Sequence, residues 1–343
     1  MKVLVTGGTG FTGSHTAVAL AARGHDVRLM VRDPAKVDRV FSAHNFSPTD
    51  IVVGDMTDAD AVDAALAGCD GVVHTAALVD LRRAAAGVVE ETNQRGVEVV
   101  VGTAARRGLD SIVHVSSLAV FFTPGGPPLS PLLPIAPGAT AYSRSKATAE
   151  RYVRRLQEQG VPIRISYPAG IVGPDDPGPS ALNNGLIAYM RGGWLLTSSG
   201  LQCVDVRDLA TLHATLLELP AGPHRYSAAT EMLTWPEFHD MCCELTGLRL
   251  RRIPVPGPVL RAAGTIGDVV KRFHDFDFPL TRDAMEVTTR WPGADTARTT
   301  AELGVVFRDR ADTFRDTLQW MYRAGHLSAE QVGKLATTRE VGP

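Results

Sequence analysis

Two hydrophobic patterns alternate along the first half of the chain. Short, nearly continuous apolar runs occupy Val3–Val5, Val27–Val31, Asp50–Val53, Gly71–Thr75, Ser111–Ser116 and Pro162–Tyr167. Runs of this kind are expected of parallel strands buried on both faces. Between them lie stretches with helical spacing: Thr12–Arg23, closed by Gly24, then Asp58–Ala67, Val88–Arg107 and Tyr142–Gln159. Strand, helix, strand in repetition predicts an α/β fold with a doubly wound parallel sheet covered by helices on both faces.

The pattern breaks after the fifth strand. Thr123–Pro137 holds six prolines and two glycines, which excludes a helix and predicts a long loop of the kind that carries function. Pro174–Ser180 reads as a second such loop. Val204–Asp208 is predicted to return to the sheet, ahead of a helix over Leu209–Glu218. A strand over His224–Ala228, a helix over Trp235–Thr246, an extended piece over Arg251–Pro256 and a helix over Ala311–Ala324 follow. This divides the chain into a sheet domain, 1–168 with 201–228 returning to it, a smaller mixed lobe, 169–200 with 229–330, and a polar tail, 331–343.

One glycine cluster turns this architecture into chemistry. Gly7, Gly10 and Gly13, in Thr6-Gly7-Gly8-Thr9-Gly10-Phe11-Thr12-Gly13, follow the first strand directly and open the first helix. In that position glycines permit a tight turn, close approach of a pyrophosphate and close helix–strand packing. The helix N-terminus adds free N–H groups and a positive dipole. The strand–loop–helix context therefore predicts a dinucleotide-binding Rossmann domain. The second strand ends in Val31-Arg32-Asp33-Pro34. Arg32 suits a 2′-phosphate, with Lys36 and Arg39 adding charge on the next turn, so NADP is favoured. Asp33 leaves NAD open, because a carboxylate there accepts from ribose hydroxyls.

Bulk properties exclude other classes. The formal net charge of -2 gives no basic face for nucleic acid. No apolar run approaches a membrane span, and the first strand begins too early for a signal peptide, so a cytoplasmic protein is expected. Cys69, Cys203, Cys242 and Cys243 lack metal-ligand spacing and are expected to be buried and structural. His274-Asp275-Phe276-Asp277-Phe278 lacks a two-histidine helical spacing, and no metal is expected. Val269–Phe273, mildly amphipathic and basic, is expected to pack against the sheet domain, with a membrane contact or a gate over the pocket as alternatives.

Tyr142 and Lys146 stand one helical turn apart and share a face. An ammonium beside a phenol favours the phenolate and brings tyrosine towards neutral-pH acid–base work. With this Tyr-x-x-x-Lys pair, the chain resembles the extended short-chain dehydrogenase/reductase family, and its Val31-Arg32-Asp33-Pro34 run is similar to the dihydroflavonol reductase and 3β-hydroxysteroid dehydrogenase branches. The resemblance also rests on the spaced glycines, on Asp55-Met56, on His74-Thr75-Ala76-Ala77, on Asn93, on Ser116-Ser117, on Tyr167-Pro168-Ala169-Gly170-Ile171 and on Val204–Asp208. It implies that Asp55 and Met56 face the adenine. Thr75, Ala76, Ala77, Ser116, Pro168, Gly170 and Ile171 would line the cofactor, with Thr9, Phe11 and Thr12 from the glycine loop. It implies Tyr142 as acid–base, Lys146 on the nicotinamide ribose, Ser117 rather than Ser116 on the substrate oxygen, and Asn93 as an indirect support. A homodimer through Val88–Arg107 and Tyr142–Gln159 is a further implication.

Val79–Leu81, Phe121, Phe122 and the proline loop are expected to border the substrate, with Val79 and Phe121 in contact. Their apolar character points to a small hydrophobic carbonyl compound or its alcohol. Leu118-Ala119-Val120 stands where the family's dehydratases place an acidic pair, which argues against dehydration. A sugar-nucleotide epimerase, a 3β-hydroxysteroid dehydrogenase/isomerase and a non-catalytic NADP sensor remain alternatives; Arg191 and Arg207 keep the first of them open.

Overall fold

The computed structural model describes residues 1–78, 86–138, 141–270 and 281–336, with the backbone alone at Ala86, Ala141, Tyr142, Trp194, Leu195 and Asp283. Its strands are β1 (Lys2–Thr6), β2 (Asp26–Val31), β3 (Asp50–Val53), β4 (Gly71–His74), β5 (Ser111–Val115), β6 (Ile163–Pro168), β7 (Gly170–Val172), β8 (Trp194–Leu196), β9 (Gly200–Leu201), β10 (Cys203–Asp205), β11 (His224–Ala228), β12 (Leu233–Thr234) and β13 (Arg252–Pro254). Its helices are α1 (Phe11–Ala22), α2 (Val37–Phe41), α3 (Ala59–Leu66), α4 (Ala86–Arg106), α5 (Ala141–Glu158), α6 (Ala181–Gly192), α7 (Val206–Glu218), α8 (Trp235–Thr246), α9 (Gly257–Val270), α10 (Arg282–Arg290), α11 (Ala297–Leu303), α12 (Arg310–Arg323) and α13 (Ala329–Val332).

Seven strands form one parallel sheet in the order β11-β6-β5-β4-β1-β2-β3. Successive side chains of a strand point to opposite faces, and both faces are buried through the middle of the sheet, whereas the edge strand β3 exposes Ile51 and Val53. Leu4, Val72, Ile112, Ile163 and Ile165 pack with Val62, Val100 and Val153 of α3, α4 and α5. Val3, Val5, Val73 and Val113 pack with Leu20, Leu209 and Leu212 of α1 and α7. That double burial is why the strands read as unbroken apolar runs. A buried polar tie stitches the second face: His213 Nδ1 meets Thr16 Oγ1 at 2.9 Å and its Nε2 meets Ser166 Oγ at 3.0 Å, joining α7, α1 and β6.

Helices α6, α8, α12 and α13 build a separate core around Tyr189, Trp235, Phe238, Phe314 and Leu318. Cys203–Asp205 does not rejoin the large sheet; it pairs in parallel with Gly170–Val172, and Val206 already begins α7. Residues 331–336 are no tail, since Val332 and Leu335 are buried in the lobe core. Cys69, Cys203 and Cys242 are buried free thiols, but Cys243 is only half-buried. Val269 and Val270 end α9, a helix masked in sequence by Gly257, Gly264 and Gly267. Gly264 is required there: a Cβ would lie 2.6 Å from the Thr281 carbonyl oxygen, where α10 begins. The rest of the Val269–Phe273 segment and the His274–Phe278 cluster lie outside the described residues. No helix among the described residues is long and apolar enough to cross a membrane.

Candidate active site

Strand order reverses between β1 and β4, and in open α/β sheets such a switch point opens a crevice at the carboxyl ends of the strands. A cleft of about 480 Å³ lies there. Its floor is the glycine loop. Gly7 adopts φ +72°, and a Cβ on it would come within 2.8 Å of the Ala76 backbone. A Cβ on Gly13 would collide with the Gly7 carbonyl. Gly10 caps α1 with no side-chain hydrogen bond, so the first amides of that helix have no side-chain partner at the cap. Thr9, Gly10, Phe11, Thr12 and Gly13 all line the cleft. A cradle of uncapped amides between glycines fits the pyrophosphate of a dinucleotide.

At one end, Arg32, Asp33, Lys36, Asp55 and Met56 line the cleft. Asp33 Oδ1 accepts from the Ala35 amide at 3.1 Å, capping a short 3-10 turn that carries Lys36. Burial acts to raise the Asp55 carboxyl, but the Thr57 hydroxyl and amide, helped by Arg32, hold it below the usual carboxylate range. Arg39 is not brought to the cleft: it is exposed on α2 and is not among the residues that line it.

At the other end the wall comprises Thr75, Ala76, Ala77, Ser116, Ser117, Lys146, Pro168 and Ile171. Ser117 caps the turn Leu118–Phe121, its Oγ accepting from the Ala119 amide at 3.2 Å. Ser116 points inward and donates to Glu150 at 2.8 Å. Lys146 is buried on α5 and donates to the Val115 carbonyl at 3.1 Å. Burial pushes its ammonium down to about 8, against the opposing charge of Glu150. Beneath it, His74 and His114 stack at 5.7 Å between ring centroids, and burial keeps both neutral. His74 Nδ1 meets Thr6 Oγ1 at 2.8 Å.

Two further expected contacts lie off the cleft, and Asn93 stands buried behind its wall: its Oδ1 accepts from the Leu78 amide at 2.6 Å and its Nδ2 donates to the Leu78 carbonyl at 2.9 Å. Gly170 pairs with Cys203 outside the cleft. Phe121 is buried in the core against Tyr167, at the end of the Leu118–Phe121 turn, and does not line the cleft. Phe122 is the half-exposed ring, stacked at 5.8 Å on Trp291. Val79 and the Tyr142 side chain lie outside the described residues; the Tyr142 backbone sits in the first turn of α5, one turn before Lys146.

Sequence reasoning missed Met30, Gly54, Leu78, Thr92, Ala169 and Ser180, which also line the cleft. Most adjoin residues the sequence predicts for the cofactor, at strand ends near the switch point, and the switch-point rule is the signal that finds them. It also missed Glu150, whose signal is a charge on the buried face of an amphipathic helix.

Comparison with known proteins agrees with this geometry. The chain is 28% identical over 333 residues to sterol demethylase protein B of Methylococcus capsulatus, covering 95% of this chain and 100% of that protein. It is 29% identical over 281 residues to 4-hydroxy-2-methyl-3-oxo-4-farnesyl-3,4-dihydroquinoline-1-oxide ketoreductase of Stigmatella aurantiaca, covering 79% and 81% of the two chains. The crystal structure of gox2253 superposes with a TM-score of 0.81 at 26% identity, covering 95% of this chain and 99% of that one. The family model for the NAD dependent epimerase/dehydratase family matches residues 3–229, from the first sheet strand through the seventh. With the uncapped glycine cradle, the switch-point cleft and the Tyr142–Lys146 helix all inside that span, the chain belongs to the NAD-dependent epimerase/dehydratase family, within the extended short-chain dehydrogenases/reductases.

Proposed function

We propose that this family oxidoreductase reduces the carbonyl of a small hydrophobic compound, or oxidises the matching alcohol, with NADP as redox partner and Tyr142 as acid–base. The carrying observation is the buried Lys146, one turn after Tyr142, in the same wall as Ser117. The nicotinamide, when bound, supplies or takes up the hydride. In the reducing direction Tyr142 gives its hydroxyl proton to the substrate oxygen as the carbon is reduced, which completes the alcohol. Ser117 donates a hydrogen bond to the same oxygen and stabilises its developing charge. Lys146 holds the ribose hydroxyls and favours the Tyr142 phenolate. Asn93 fixes the wall by gripping both backbone groups of Leu78.

Arg32 and Lys36 at the cleft rim support a 2′-phosphate. Asp33 is already occupied by the Ala35 amide, with Lys36 Nζ 3.7 Å from its other oxygen, which lessens its availability for a ribose. The Phe122–Trp291 stack and the names of two relatives, one a sterol protein and one a farnesyl-quinoline ketoreductase, support an apolar substrate. The reading is completed by a cytoplasmic homodimer through α4 and α5, which light scattering tests.

A panel of aldehydes, ketones and sterols, with NADPH consumption as readout, tests the reaction. Turnover lost in Tyr142→Phe supports it. Tightly held cofactor without net consumption on any carbonyl would instead favour an epimerase, in which the cofactor is regenerated within each cycle.

A further inference from the structure

Glu150 follows Lys146 by one helical turn and is fully buried. Three donors converge on its carboxylate. Oε2 accepts from Ser116 Oγ at 2.8 Å; Oε1 accepts from the Tyr167 hydroxyl at 2.6 Å and from Arg154 Nε at 2.7 Å. A buried charge needs a partner, and Arg154 alone would meet that need. The two hydroxyls add something else. Ser116 directly precedes Ser117 at the end of β5, and Tyr167 directly precedes Pro168 in β6, so one carboxylate ties both strand ends to the helix that carries Lys146. Arg154 extends the tie, donating to the Pro131 carbonyl of the proline loop at 3.2 Å and lying 5.4 Å over the Phe121 ring.

We infer that Glu150 is a positioning residue of the redox site: its carboxylate locks the ends of β5 and β6 onto α5 and supplies the counter-charge to Lys146. The inference rests on the reading of Lys146 given above. The groups facing Lys146 are His74 from β4, His114 from β5 and Glu150 from its own helix; the two histidines are neutral. The carboxylate is therefore the charge that opposes the effect of burial on the ammonium. Facing Glu150 are Ser116 from β5, Tyr167 from β6, and Arg154 and Lys146 from α5.

The sign is definite. The ammonium is present below its pKa and lost as pH rises through it, and removing a nearby negative charge lowers that pKa. NADPH affinity of the full chain, titrated by fluorescence from about pH 6 to about pH 9, reads this without any substrate. The wild-type affinity is expected to fall as pH rises through about 8. In Glu150→Gln, which keeps the shape and can still bond Ser116 and Tyr167, the midpoint is expected about one pH unit or more lower. Glu150→Asp keeps the charge and restores the midpoint, but its carboxylate is one methylene short and turnover falls.

A flat wild-type profile, an unmoved midpoint in Glu150→Gln, or equal shifts in both variants overturns the inference. If Glu150→Gln does not fold, Glu150→Asp decides, and unchanged turnover in that variant overturns it. Failure of the wild type to turn over any carbonyl would sink the proposed reaction and leave the midpoint comparison intact.

Discussion

The carbonyl oxygen of Gly7 occupies the space that a side chain at Gly13 would need. The two glycines are therefore coupled: Gly7 turns the chain at φ +72° and aims its carbonyl at the start of α1, and Gly13 lets the helix come down on it. Gly13→Ala is expected to displace the first turn of α1, at a cost of about 1–3 kcal/mol of overpacking, and to weaken NADPH binding by roughly tenfold or more. Calorimetric titration with thermal melting checks this, and unaltered binding by a folded variant contradicts the cradle.

Arg32 stands exposed at the rim of the cleft, free to face a 2′-phosphate. A charge-assisted bond of this type contributes about 1.5–3 kcal/mol, or roughly tenfold to a hundredfold in affinity. Arg32→Ala is expected to weaken NADPH by that factor and to leave NADH nearly unchanged. Equal affinities of the wild type for the two nucleotides would sink the NADP assignment.

Tyr142→Phe removes one oxygen from the first turn of α5. A lost acid–base group of this kind costs roughly 10²–10⁴-fold in kcat. Cofactor affinity, measured by the same fluorescence titration, is expected to stay within about twofold, because the phenol acts on the substrate oxygen. Unaltered turnover would point to a non-catalytic role for the site.

Asn93→Leu is expected to raise the KM for substrate and to lower melting temperature together. The buried amide satisfies both backbone groups of Leu78, and an apolar replacement leaves them unpaired at about 1–3 kcal/mol. Steady-state kinetics and a melting curve check the pair; a variant with wild-type melting contradicts the bond.

Burial drives His15, His74 and His213 down to about 3 and holds His114 well below its ordinary value. All four stay neutral in the fold while the unfolded chain takes up protons below about pH 6.5. Their contribution is therefore full above that value and is lost as pH falls from about 6.5 towards about 3, each group adding up to about 1.4 kcal/mol per pH unit. Neither ring nitrogen of His114 has a hydrogen-bond partner among the described residues. His114→Leu is expected to change stability at neutral pH by less than about 1.5 kcal/mol and to flatten the acid limb. Urea unfolding across that range reads the slope, and an unchanged slope contradicts the assignment.

Much of this protein was legible from residue order alone. The central sheet strands are sandwiched between two helix layers, so Val3, Leu4 and Val5 must all be apolar, and that run announces a parallel strand without any partner in view. The glycine loop was equally plain, because its demands are local: a turn, a helix start and a close approach fall within eight residues. The lobe was not. Gly257 and Gly264 serve the approach of α10 to α9 rather than the helix they interrupt, so local propensity hides it. Cys203–Asp205 looks like any sheet strand, and only its neighbour, Gly170–Val172, decides which sheet it joins.

The site divides along the same line. The sequence by itself determined the placement of the candidate residues whose spacing is local: Gly7, Gly10 and Gly13 on one turn, Tyr142 and Lys146 one turn apart on one helix, Ser117 at a strand end. Only the tertiary structure decided what depends on residues far apart in the chain. It turned Phe121 inward and Phe122 out, left Arg39 off the cleft, and brought Ser116 and Tyr167 onto the buried carboxylate of Glu150. Spacing along one element is carried by backbone geometry, which residue order encodes directly. Convergence of three elements on one carboxylate is carried by packing, which exists only once the sheet has closed against its helices.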